Sequence, residues 1–174
     1  NPIRGEYMLA WQSERRPETD EYEVYGMRLD ELLRPKPPEE FALSDSPWDQ
    51  AIKFLTFNTA SQQFLFGLTL DDPNDSWDRN ELRVQRVFWP GLLLGHEVTV
   101  YGADDDQEDP AVAYNSRDQE TLVVWSDRQQ GDPVLFFQRY DRDGLPLSGT
   151  YHVTMQSSGH IHPAAAYSSL DNQY

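Results

Sequence analysis

The chain has 174 residues, with 30 acidic against 14 basic side chains, a formal charge of −16 at pH 7, 13% aromatic residues and no cysteine. That charge balance repels phosphate backbones and anionic membrane surfaces, so neither nucleic-acid binding nor membrane insertion is expected. The lack of cysteine excludes a disulfide framework, a Cys-based zinc site and a thiol nucleophile. The length allows burial of roughly two thirds of the unfolded surface, the aromatic share argues against disorder, and no run of about 18 apolar residues is present to span a bilayer.

In chain order, the first apolar stretch is Tyr7-Met8-Leu9-Ala10-Trp11. A segment closing on Met27-Arg28-Leu29-Asp30 and a short run Phe41-Ala42-Leu43 follow. The second series is Phe54-Leu55-Thr56-Phe57, Phe64-Leu65-Phe66-Gly67-Leu68, Gln85-Arg86-Val87-Phe88, a turn at Trp89-Pro90-Gly91, and Val98-Thr99-Val100. The third is Ala111-Val112-Ala113-Tyr114, Leu122-Val123-Val124-Trp125, Gln138-Arg139-Tyr140, a turn at Asp141-Arg142-Asp143-Gly144, and Tyr151-His152-Val153. A last run, Pro163-Ala164-Ala165-Ala166-Tyr167, starts the series again.

These landmarks define an internal repeat. Pro110 and Pro163 are 53 residues apart, as are Thr121 and Tyr174, while Asn1, Asn58 and Asn115 follow at intervals of 57. Each unit reads as four short strands separated by turn residues, and no amphipathic helix is visible. Four strands per unit of this length predict a blade, and successive blades an all-β propeller. The continuous apolar second strands fit burial on both faces, and the small Ala-rich first strands fit a crowded centre. The units divide as residues 1–50 (lacking a first strand), 51–108, 109–161, and 162–174 as a lone first strand.

The motifs Pro-Ala-Val-Ala-Tyr-Asn from Pro110, Leu-Val-Val-Trp from Leu122 and Gln-Arg-Tyr-Asp-Arg-Asp-Gly from Gln138 resemble the tandem repeats of large secreted bacterial β-propeller proteins. The likeness covers essentially the whole chain, sharply from Asp109 onward and loosely before it. It implies an extracellular or cell-surface protein and carries no agreed catalytic residues.

The chain opens on Asn1 with no signal-peptide pattern, which reads as a processed, trimmed or partial chain. Three blades are too few to close a ring, and open strand edges recruit partners. Three arrangements follow: part of a longer propeller; head-to-tail assembly in which Pro163, Ala164, Ala165, Ala166 and Tyr167 complete another copy's first blade; or an open monomer in which that strand folds back. The second arrangement gives a six-blade ring from two chains, or a filament if the geometry does not close.

The loops after the second strands and the crossings between units hold most of the excess negative charge, which predicts one strongly acidic end. Within it, Asp104, Asp105, Asp106 and Glu108, and separately Asp71 and Asp75, are candidate calcium ligands. Neither group has the spacing of a defined calcium loop, so a solvated, repelling surface is the simpler reading. No other cofactor is expected. His160 and His162, two apart, are a candidate metal pair with no obvious third ligand. Trp48 and Trp77 lie among the acids and would suit a carbohydrate or a cationic partner, giving a lectin-like alternative. Trp11 and Trp125 share one repeat position and are expected in the core. Paired carboxylates suitable for glycan hydrolysis carry no weight where acids are this plentiful, and neither Gly-x-Ser-x-Gly nor a phosphate loop occurs. The expected role is non-catalytic: a structural or adhesive module whose partners are its own copies or further blades.

Overall fold

A computed structural model describes residues 1–16, 21–44, 46–71, 80–88, 91–100, 107–127, 133–153 and 162–174. Among these residues every regular element is a strand. The first sheet has the order β1 (Tyr7–Arg16), β2 (Glu21–Leu29), β3 (Pro35–Ala42). The second runs β4 (Asp49–Asn58), β5 (Gln63–Asp71), β6 (Asn80–Phe88), β7 (Leu92–Thr99). The third runs β8 (Gln107–Asn115), β9 (Glu120–Asp127), β10 (Val134–Tyr140), β11 (Tyr151–His152). All neighbouring strands are antiparallel. The all-β expectation therefore holds, as three consecutive antiparallel sheets.

Two apolar cores join the sheets. One packs Met8, Val24 and Leu43 of the first sheet region against Phe64, Phe66, Leu68 and Val87 of the second. The other packs Phe54, Leu65 and Val84 of the second against Val123, Trp125, Phe136 and Tyr140 of the third. The second sheet is thus covered on both faces, and every residue from Phe64 to Leu70 on β5 is buried. A strand covered twice has no solvent face to alternate toward, which is why its sequence is continuously apolar. On β1, covered once, Met8 is buried while Tyr7 and Leu9 are exposed.

The sequence repeat appears as repeated local geometry. Between the first two strands of a unit, Asn58 Oδ1 accepts from the Ala60 and Ser61 amides at 2.9 and 3.0 Å, and Asn115 Oδ1 accepts from Arg117 and Asp118 at 2.9 Å. Asn1 Oδ1 takes the Ile3 amide at 3.2 Å, and Ser168 Oγ takes the Asp171 amide at 3.4 Å. Each of these turns places its fifth residue in the left-handed region: Gly5, Gln62, Gln119 and Asn172. Asparagine and serine oxygens that accept local amides stabilise such turns without a ladder. Between the last two strands, Asp30 Oδ1 accepts from Leu32 and Arg34 at 2.9 Å, and Asp141 Oδ1 accepts from Asp143 and Leu145 at 2.8 Å. Leu33, Gly91 and Gly144 are left-handed there. The Asp141-Arg142-Asp143-Gly144 turn is therefore a hairpin turn held by its own first side chain.

The β-bulges recur as well. Register shifts fall between Ile52 and Phe54 on β4 and between Glu108 and Ala111 on β8, and again between Gly26 and Arg28 on β2 and between Val84 and Arg86 on β6. Bulges add local twist, so the matched sheets curve at matched places. The fourth strands differ from expectation: β3 and β7 begin at Pro35 and Leu92, well before the short alternating runs.

Candidate assembly surface

Among the described residues, the outer face of the first sheet differs from the buried faces by lack of a neighbour rather than by chemistry. On the first sheet, Tyr7 and Leu9 are 54% and 49% exposed. Phe64 and Phe66 hold the same repeat positions in the second sheet at 4% and 0%, and Thr121 and Val123 in the third at 5% and 0%. Trp125 is fully buried and stacks on Phe136 at 6.0 Å, as expected for a core residue. Trp11, its counterpart, is only half-buried and stacks on Tyr25 at 6.4 Å on the open face.

On the outer side of the third sheet, a groove of about 370 Å³ separates the sheet from the C-terminal segment. Leu122, Val124 and Phe137 form one wall, and Ala164, Ala165, Ala166 and Tyr174 the other. Pro163, Ala164, Ala165, Ala166 and Tyr167 join no sheet among the described residues, and Ser168 bridges Gln173 just beyond them. The expected lone first strand is thus a short hairpin held by polar contacts. Asn115 Nδ2 donates to Asn172 Oδ1 at 3.1 Å, Asn172 Nδ2 donates to Asp118 Oδ2 at 2.8 Å, and the Tyr167 hydroxyl donates to Asn172 Oδ1 at 2.9 Å. His162 at its start lies 2.8 Å from the Asp109 carboxylate. Asn172 unites the hairpin with the turn of the sheet beneath, a role that its isolated place in the sequence does not signal.

Tyr174 closes this seat. Burial first, then the nearby Glu120 carboxylate, pushes its phenol up to about 12, against a smaller opposing effect of its hydrogen bond to Asn115. A free tyrosine titrates near 10. Because the docked pKa is the higher one, docking is fully favoured below about 10 and weakens as pH rises toward 12. We expect amide protection of residues 164–174 in hydrogen exchange to fall over that pH window. It should do so less in Tyr174→Phe, which has no phenol to ionise. Equal loss in both proteins would show that Tyr174 ionisation does not control the seat.

The remaining candidate residues are not brought together. Trp48 is half-buried with the Arg83 guanidinium 5.8 Å from its ring centre, so one stacking face is engaged. Asp71 closes β5 opposite Asp49 and Asn80, and the Glu108 carbonyl on β8 accepts from Ser126 Oγ at 3.1 Å. Trp77, Asp75, Asp104, Asp105, Asp106 and His160 lie outside the described residues, as does much of the acidic loop set. Among the described residues no group of three or more His, Asp or Glu side chains is placed to share a metal ion. The recurring arginines diverge: Arg28 is buried, whereas Arg86 reaches Asp143 of the next sheet at 3.9 Å and Arg139 pairs with Glu120 at 3.0 Å.

No family model matches the chain, and no curated protein matches it in sequence.

Proposed function

We propose that the chain is a non-catalytic, extracellular structural or adhesive module of β-propeller blades. It joins copies of itself, or further blades of the same kind, through strand addition and sheet stacking. The observation that carries this reading is the recurrence of both turns, their left-handed residues and two bulges at matched positions in successive sheets. Units of that kind stack on their neighbours, and each interface prepares the next. The first sheet has three strands where the second and third have four. The C-terminal hairpin repeats the turn that begins a fourth unit. A sheet with one strand fewer than its neighbours and a segment that repeats a first-strand motif outside any sheet are the two elements that strand addition joins. The extracellular placement rests on the resemblance of the repeat motifs to those of secreted propeller proteins.

Deleting residues 163–174 tests the reading. The full chain is expected to form species larger than one chain by light scattering, and the deleted chain to lose them while keeping its β circular dichroism. Identical mass distributions for the two proteins would contradict strand addition.

A further inference from the structure

We draw no further inference here: the strongest candidate, the exposed leucines at the turns between the last two strands of each sheet (Leu32 and Leu33, Leu92, Leu145 and Leu147), is an apolar surface patch for which nothing in the structure shows what covers it.

Discussion

Replacing Trp125 with alanine is expected to destabilise the protein by about 3–5 kcal/mol, the usual cost of emptying a large aromatic site in a close-packed core. Trp125 is fully buried, stacked on Phe136 at 6.0 Å with 20° between the rings, and belongs to the cluster that joins the second and third sheets. The cavity would open between two rigid sheets, which limits relaxation. Trp11→Ala is the internal control, because it removes the same side chain from the same repeat position on an uncovered face. It should cost the single chain less than about 1 kcal/mol, in the range of substitutions away from the core, and weaken self-association instead. Urea unfolding measures the first effect and light scattering the second. Equal destabilisation by the two substitutions would mean that the front of the first sheet is not an open counterpart of the buried ones.

Gly67→Ala is the second large effect. Gly67 pairs with Phe54 across the β4–β5 ladder, and the Phe54 ring lies over it so closely that an added Cβ would fall inside the ring's van der Waals envelope. Both residues are buried and β5 is covered on both sides, so neither the strand nor the ring has room to withdraw. Overpacking of this kind costs about 2–3 kcal/mol. For a chain of this size that lowers Tm by roughly 5–10 °C. Phe54→Leu combined with Gly67→Ala should recover part of the loss, because the shorter side chain vacates the space over residue 67. A Gly67→Ala protein with unchanged Tm would show that the ring is not fixed over the glycine.

The same pair shows what sequence reveals and what it withholds. Phe54 is visible as a departure from the small first strands of the other units, such as Ala111-Val112-Ala113. Its compensation at Gly67 is not visible, because cross-strand partners are distant in sequence and register is set by the turn between them. The repeat itself is legible because turns are local: Asn58, Asn115, Asp30 and Asp141 bind their own backbone amides, so their chemistry is written at the site. Burial of β5 is legible for the same reason, as an unbroken apolar run.

The early starts of β3 and β7 are not legible. Pro35, Pro37 and Pro38 read as a strand breaker, yet β3 is an edge strand of its sheet, where proline is tolerated. Its exposure leaves no alternation to detect. Trp11 and Trp125 look equivalent in sequence and differ in burial, because burial depends on whether another sheet stands opposite. Of the candidate surface, residues 163–167 were recognisable from their match to the first strand of the third unit. The polar anchor at Asn172 and the groove against Leu122 and Phe137 arise only from tertiary placement.

The most direct test of the proposed function, a module of stacked sheets that joins its own copies, is the mass of the unmodified 174-residue chain across a concentration series. Mass photometry and light scattering, with negative-stain imaging of the same sample, resolve the outcome. The proposed function predicts growth above the 20.2 kDa of one chain, to a discrete two-chain particle if the assembly closes, or to filaments of uniform width if it does not. A particle that remains at one chain's mass throughout the series would contradict the claim.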